Sequence, residues 1–542
     1  MRSTMQETPL SLATLARYGT TVHGSAEVVT WTGDGARTAT YAEVGRRAAQ
    51  LAHGLRELGI TGDDRVGTFM WNNQEHLEAY LAVPAMGAVL HPLNIRLFPD
   101  QLAYIANHAA DKVIIVDGSV LPVLAKVLGQ LSTVEHLVVN GPADLSVIEG
   151  THATVHAYDE LLAGRPEEFD WVVLEDETSA AAMCYTSGTT GNPKGVVYSH
   201  RSIYLHSMQV CMPDGFGVSQ ADRLLLIVPM FHVLAWGTPY AAMMCGATMV
   251  MPDRFLAPEP LAELIETTKP TLAGGVPTIW AGLLAHLDEH PRDVSSLRDA
   301  VVGGSAAPRA LIEGLERHGI HLTHAWGMTE TSPLGSISRP PAGVEGEELW
   351  RYRLSQGRLA AAVEARLVGP DGTEVPRDGA AVGELEVRGS WVTGSYFRDD
   401  DPDKFDDGWL RTGDIGSITT DGFLTLTDRS KDVIKSGGEW ISSVELENAL
   451  MAHPAVAEAS VVGVPDDKWG ERPLATVVVK EGAAVTAEEL REHLAGRVAH
   501  WQLPERWSFI DEVPKTSVGK FDKKVIRRQY ADGALDVQTL GT

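Results

Sequence analysis

Met183–His200 reads MCYTSGTTGNPKGVVYSH. An apolar strand end runs into a stretch of hydroxyls and glycines, and an apolar run resumes at Val196. Gly188, Gly191 and Gly195 let the backbone take positive φ and approach a ligand closely, so that its N–H groups can converge on phosphate oxygens. Thr186, Ser187, Thr189 and Thr190 add hydroxyls, and Lys194 adds charge. The bland alternative is a flexible Gly/Thr hairpin. A Walker loop is excluded: it needs G-x-x-x-x-G-K-[ST], whereas Gly188 and Gly191 are separated by two residues and Lys194 is followed by Gly195.

On the N-terminal side the chain alternates elements. Thr40–Gly59 has a helical stripe of Val44, Ala48, Leu51, Leu55 and Leu58, a Thr40/Glu43 capping box and Gly59 as its stop. Arg65–Trp71 is strand-like, and short β-rich runs follow at Lys112–Asp117, Leu137–Asn140, Leu224–Val228, Ala247–Met251 and Ala300–Val302. Strands separated by helices or loops predict an α/β fold of parallel sheets covered by helices.

The pattern changes near residue 430. Ser442 and Glu445 predict a capped helix to about Ala452, strands follow at Ala457–Val464 and Leu474–Val479, and Thr486 and Glu489 open another helix. This predicts a large domain over residues 1–430 and a small α+β domain over 431–542, joined at the polar run Asp428–Asp432, which is short enough to act as a hinge.

Length and composition agree. The 542 residues exceed one ordinary domain of about 150 residues, so two or more packed units are expected. Hydrophobic residues make up 44% and charged residues 22%, enough for a large core and against disorder. The net charge of −27 argues against a face that coats nucleic acid or anionic lipid. Cys184, Cys211 and Cys245 are too few and too irregularly spaced for a disulfide framework or a thiolate metal site, which favours a reducing compartment. With no signal-like N-terminus and no apolar run of about 20 residues, a cytoplasmic protein without an integral membrane segment is expected.

The Met183–His200 segment resembles the phosphate-binding signature of the adenylate-forming superfamily, which includes acyl-CoA synthetases, luciferases and the adenylation domains of peptide synthetases. In matching order follow VVGGSAAP (Val301–Pro308), HAWGMTETSP (His324–Pro333), GELEVRG (Gly383–Gly389), GWLRTGDIG (Gly408–Gly416), DRSKDVIKSGGEWIS (Asp428–Ser442) and PKTSVGK (Pro514–Lys520). The resemblance spans nearly the whole chain. It implies a β-barrel-like subdomain in the large domain and a small, mobile C-terminal domain.

Residue by residue, it places Thr186, Ser187, Gly188, Thr189, Thr190 and Lys194 against ATP phosphates, and Thr186 and Glu330 on Mg²⁺. Read alone, Glu330 is a hard oxygen donor suited to that ion, Thr329 offers a hydroxyl, and Trp326 a flat face for a purine. The family usually has Gly-Tyr where this chain has Ala325-Trp326; positions 324 to 326, beginning with His324, border the adenine. Gly304 lies at a βα junction whose backbone can abut the nucleotide. Asp414, an acceptor-only carboxylate, matches the ribose ligand, with Arg429 assisting. Lys431 matches a hinge pivot, and Lys435 and Trp440 approach the adenylate.

Lys520 matches the lysine that bridges the attacking carboxylate and the α-phosphate. The window Asp511–Tyr530 around it holds six Lys/Arg against three Asp/Glu, a local +3 that by itself reads as solvated surface. In VPMFHVLAWG (Val228–Gly237), His232 matches a position beside the reacting carboxylate, and Val233 and Trp236 resemble the lining and gate of a fatty-acyl tunnel; without the resemblance they read as core.

The implied activity is that of a medium- or long-chain fatty acid–CoA ligase using ATP, CoA and a carboxylic acid. An aryl-acid CoA ligase, a stand-alone adenylase, and a catalytically inactive nucleotide-binding relative are the alternatives. Related long-chain enzymes are often homodimers, so a homodimer is expected.

Overall fold

The structure is a computed structural model that describes residues 1–186, 192–436, 439–515 and 521–540, without the side chains of Glu439 and Trp440. The chain divides into two compact units: Met1–Glu364 with Val387–Leu410, and Ala365–Glu386 with Arg411–Thr542. Among the described residues no helix is long and apolar enough to cross a membrane.

In the first unit the helix Tyr41–Glu57 starts where its capping box predicts: Thr40 Oγ1 accepts from Glu43 N, and Glu43 Oε2 accepts from Thr40 N at 2.7 Å. Two sheets organise this unit. The first orders its strands Thr154–Ala157, His136–Asn140, Asp111–Asp117, Arg65–Phe69, Val89–Pro92, Ala180–Tyr185 and Gly195–Ser199. The second includes Ala36–Thr40, Glu27–Trp31, Thr248–Met251, Arg223–Leu225, Leu272–Gly275, Asp299–Val302, His321–Gly327, Leu334–Ile337 and Gly357–Leu359 in that order.

Both sheets are parallel in their interiors, as expected, but antiparallel at their margins. At Ala180–Tyr185 and Gly195–Ser199 the cause is chain length. The loop between them is too short for the crossover that parallel neighbours need.

Strand alternation sorts the apolar side chains into three layers. Val113 and Ile115 enter a central core with Leu224, Met249 and Val301 of the second sheet, whereas Ile114 and Val116 enter an outer core with Leu102, Ile105 and Leu121. Leu225, Val250 and Val302 face a third core against the helices Pro258–Thr268, Pro277–Glu289 and Arg309–Arg317. The strand expected over Leu224–Val228 stops at Leu225. Beyond it Asn72 Nδ2 donates to the carbonyls of Leu226 and Val228 at 2.7 and 2.8 Å, taking over acceptors a ladder would have used.

The strands Val363–Val368, Gly383–Gly389, Trp409–Ile418 and Phe423–Arg429, most of whose residues belong to the second unit, lie side by side in the region where the barrel-like subdomain is expected. A separate sheet contains the long hairpin Val456–Asp466 and Gly470–Val479, with Ile434–Ser436, Glu439–Ile441, Arg506–Phe509 and Gln538–Thr539. The helix Ser443–Met451 is capped by Ser442, and Ala487–Ala495 by the Thr486/Glu489 box. The polar run Asp428–Asp432 lies inside this unit and is hydrogen-bonded there: Ser430 N donates to Gly413 O at 2.8 Å, and Arg527 pairs with Asp432 at 3.0 Å.

Candidate active site

The base of the Met183–His200 loop closes on itself. Thr186 N donates to Lys194 O at 2.9 Å, and Lys194 N donates to Thr186 Oγ1 at 3.2 Å. Ser187, Gly188, Thr189 and Thr190 lie outside the described residues. At the exit, Phe397 N donates to Gly195 O at 2.8 Å; a Cβ on Gly195 would meet the Tyr185 ring at 3.1 Å and Phe397 Cβ at 3.2 Å.

The Lys194 ammonium bonds Asp401, lies 3.7 Å from Asp399 and sits 4.9 Å from the centre of the Tyr396 ring. Burial works against its charge, but Asp401 and Asp399 outweigh that and hold it above the ordinary lysine range. Glu330 stands on the short turn Thr329–Thr331 after the strand His321–Gly327. It is buried, and its Oε1 accepts from Tyr396 OH at 2.7 Å. Its backbone carbonyl accepts from Thr393 N at 2.8 Å, and Tyr198 OH donates to Thr329 O at 2.8 Å. Tyr396 thus touches both Lys194 and Glu330, and burial together with the Glu330 charge keeps its phenol protonated.

Among the described residues no three His, Cys, Asp or Glu side chains converge as a metal cage. Glu330 Oε2 takes no hydrogen bond from any described residue. A single buried carboxylate with one oxygen spare fits Mg²⁺, which fills most of its coordination with water and substrate phosphates.

His324, Ala325 and Trp326 are buried on the same strand. Burial pulls the His324 pKa down to about 4, so the ring is neutral near pH 7; its Nε2 faces Ser305 O at 3.4 Å. The Trp326 indole packs over Gly335, where a Cβ would come within 2.2 Å of the ring, so one of its faces is used inside the protein. Gly304 has φ +85°, which favours glycine at this junction.

The acyl candidates occupy a conformation their sequence does not announce. Val233, Leu234, Ala235 and Trp236 all have left-handed φ, 47–57°, and Gly237 follows at 71°. Left-handed geometry costs roughly 1–2 kcal/mol per non-glycine residue. The turn is held by Ala235 N to His232 O at 3.1 Å, Gly237 N to Leu234 O at 2.9 Å and Thr238 Oγ1 to Ala235 O at 2.6 Å. The result exposes His232 while burying Val233 and Trp236. His232 is therefore not the core histidine that an apolar run suggests. The Trp236 ring lies over two strand-end glycines: a Cβ on Gly303 or Gly274 would sit 3.1 or 3.2 Å from it. The same Gly303 Cβ would lie 3.4 Å from Ala325 O, so the acyl turn and the expected adenine strand meet there.

The second unit carries the remaining candidates. Asp414 and Arg429 face each other in antiparallel register and pair at 2.7 Å, with Asp414 buried. Lys431 is exposed; Lys435 is exposed, lies opposite Trp440 in register, and its backbone N–H donates to Glu471 at 2.9 Å. The Trp440 side chain and Lys520 lie outside the described positions.

Sequence reasoning missed Tyr198, Tyr396, Asp399 and Asp401. The run Asp399–Asp401 reads as solvated acid, and no local signal ties it to a lysine 207 positions earlier. A cavity of about 500 Å³ adjoins these residues, lined among others by Tyr198, Ser202, Ser332, Trp391, Tyr396 and Arg398.

Comparison with known proteins agrees with this arrangement. The family described as AMP-binding enzyme matches residues 18–397, and the AMP-binding enzyme C-terminal domain matches residues 445–520. The chain belongs to the AMP-binding enzyme family and is an adenylate-forming ligase. It is 46% identical to the long-chain-fatty-acid–CoA ligase of Thermus thermophilus, over 97% of both chains. It is 44% identical to the 3-methylmercaptopropionyl-CoA ligase of Ruegeria lacuscaerulensis, over 98% of this chain and 99% of the relative. Among solved structures, the anthranilate CoA ligase AuaEII in complex with anthranoyl-AMP superposes with a TM-score of 0.86 at 26% identity, covering 98% of this chain and all of that one.

Proposed function

We propose that the chain is an ATP-dependent CoA ligase for aliphatic carboxylic acids of medium to long chain. A carboxylate oxygen attacks the α-phosphorus of ATP, the bond to pyrophosphate breaks, and an acyl-adenylate forms. The CoA thiol then attacks the acyl carbon, and the bond to AMP breaks. The observation that carries this reading is the sharing of Tyr396 by Lys194 and Glu330, which sets a cation and a spare carboxylate oxygen at one phenol. The named activities of the relatives above support the acid and thiol classes.

Both partners of the first step are anions, so catalysis rests on neutralisation and alignment instead of a protein nucleophile. Lys194 takes the outer phosphates once it leaves Asp401, and Lys520 bridges the attacking carboxylate and the α-phosphate. Glu330 and Thr186 would hold Mg²⁺, which supplies charge neutralisation between phosphates when bound. Ser187, Gly188, Thr189, Thr190 and Thr329 complete the phosphate cradle. Gly304, His324, Ala325 and Trp326 border the adenine, and Asp414 accepts from the ribose hydroxyls with Arg429 beside it. Lys435 and Trp440 attend the adenylate. His232 stands at the acid's carboxylate, with Val233 and Trp236 along its apolar chain.

For the second step, residues 431–542 act as a mobile domain pivoting at Lys431, which removes Lys520 and admits CoA. A homodimer working in the cytoplasm completes the reading. ATP–pyrophosphate exchange with a panel of alkyl and aryl acids tests it: exchange driven best by alkyl acids of medium to long chain is expected. Exchange with aryl acids alone would move the chain to an aryl-acid ligase, and exchange with no acid despite ATP binding would reject catalysis.

A further inference from the structure

The segment Leu226–Met230 leads from the strand Arg223–Leu225 into the left-handed turn that carries Val233 and Trp236, with His232 at its start. It has left the sheet, and Pro229 has no N–H to give. Its main-chain groups are met from the first sheet's side of the unit. Asn72 Nδ2 donates to Leu226 O at 2.7 Å and to Val228 O at 2.8 Å, and Asn72 Oδ1 accepts from Met230 N at 2.8 Å. Met230 O accepts from the Tyr80 hydroxyl. Only one orientation of the Asn72 amide works, since turning it over would set its oxygen against two carbonyls and its NH₂ against an N–H.

Asn72 is itself held from both sheets. Its carbonyl accepts from Asp253 N at 3.0 Å, just beyond the strand Thr248–Met251 of the second sheet. On either side of it, Trp71 N and Asn73 Nδ2 donate to Asp117 Oδ2 at 2.8 and 2.9 Å, at the end of the strand Asp111–Asp117 of the first sheet. Asn73 also caps the helix Gln74–Ala85 that carries Tyr80, its Oδ1 accepting from His76 N at 3.0 Å. Asn72, Asn73 and Asp117 are all buried. A buried amide with every donor and acceptor matched to a fixed partner leaves the segment it binds little freedom.

The turn beyond needs such support. Four successive left-handed residues that carry a Cβ do not keep that conformation by local preference and persist only where the surroundings over-determine it. The bonds that close the turn run within it and its flanks, from His232 N to Pro229 O at 2.9 Å through to Thr238 Oγ1 on Ala235 O. Those that tie its entry to the two sheets run through Asn72.

We propose that Asn72 is a positioning residue for the acid: by fixing Leu226–Met230 against both sheets it sets where His232, Val233 and Trp236 stand, and so governs acid affinity and the preference for chain length. It acts through the turn and not by contact with substrate. The proposal rests on the acyl reading of that turn. Each methylene of an alkyl acid gains from burial only where an apolar wall meets it, so a displaced Val233 and Trp236 flatten the gain per methylene. An asparagine that merely satisfied buried main-chain groups would change stability alone.

The test compares the full-length enzyme with Asn72→Asp and Asn72→Ala on a series of straight-chain acids from short to long. Asn72→Asp keeps the shape and the acceptor for Met230 N but sets an oxygen against Leu226 O and Val228 O. Both variants should raise KM for the acid at least about tenfold, the scale of leaving buried acceptors without donors, with KM for ATP within about twofold of the parent. The gain in kcat/KM per added methylene should fall by about half. Asn72→Gln keeps the amide one methylene further out; it should raise acid KM by a smaller factor, and it carries the test where the other two fail to fold. Leu315→Ala, a truncation in the third core on the helix Arg309–Arg317, should lower the thermal transition while leaving acid KM and the chain-length profile unchanged, which separates positioning from lost stability. Folded Asn72 variants with the parent's acid KM and chain-length profile would overturn the proposal, as would equal rises in KM for acid and ATP. Trp236→Ala separates this from the acyl reading. If it alters the chain-length profile and the Asn72 variants do not, Asn72 has no such role while the turn keeps its own; if it alters nothing either, the acyl reading falls and the proposal with it.

Discussion

Several candidate residues of the first unit are fixed by packing, whereas two of the four whose side chains are described in the second, Lys431 and Lys435, are presented at its surface. Glu330, His324, Val233 and Trp236 are buried; Tyr396 bonds Glu330, and Gly303 and Gly274 leave room for the Trp236 ring. Asp414 departs from the contrast, being buried and paired with Arg429. On the proposed function the first unit is a preorganised template that receives ATP and acid, and the small domain delivers and withdraws charge.

The contrast breaks most readily at Lys520. Lys520→Ala should slow acyl-adenylate formation at least about 100-fold, the scale of losing one transition-state contact. Thioester formation from pre-made acyl-adenylate and CoA should stay within about threefold of the parent, since that step needs no such contact. Single-turnover measurements of the two steps decide it, and equal loss in both would mean that the small domain is as fixed a part of the site as Glu330.

On the template side, Glu330→Gln should lower kcat/KM for ATP by roughly 10- to 100-fold and raise the Mg²⁺ concentration for half-maximal rate. Thermal stability should change little, because the amide oxygen can still accept from Tyr396. Tyr396→Phe should act in the same direction but less, about five- to tenfold, because it removes one orienting hydrogen bond with a net worth of about 1–1.4 kcal/mol while keeping the carboxylate and the ring under Lys194. An unchanged Mg²⁺ requirement in both variants would remove Glu330 from the metal.

The helix Tyr41–Glu57 was legible because its signals are local: a capping box, a heptad-like stripe and a terminal glycine. The same holds for the α+β pattern after residue 430, where Thr486 and Glu489 cap the helix they predict. Chemistry that depends on long-range contacts was not legible. Asp401 meets Lys194 across 207 positions, and Tyr396 meets Glu330 across 66. The turn His232–Gly237 misled for another reason. Left-handed backbone is ordinarily announced by glycine or asparagine, yet here only Gly237 follows four residues that carry a Cβ penalty. Surrounding tertiary contacts, not local preference, impose that conformation.

The smallest expected effect sharpens this last point. Ala235→Gly relieves a left-handed alanine at a benefit of roughly 1–2 kcal/mol and adds about 0.5–1 kcal/mol of unfolded-state entropy, so a slight net stabilisation is expected. It should appear as a small upward shift of the thermal transition of the first unit, with acid KM moderately raised as the turn gains freedom. A lower transition temperature would show that the alanine methyl contributes more packing than its backbone costs.

The central claim is that the acid is activated as an adenylate, and oxygen transfer tests it most directly. With ¹⁸O-labelled carboxylic acid, ATP and CoA, each turnover should place one ¹⁸O in AMP and none in pyrophosphate, because the carboxylate oxygen that attacked the α-phosphorus leaves with it. Label appearing in orthophosphate, or AMP formed without label, would contradict the account.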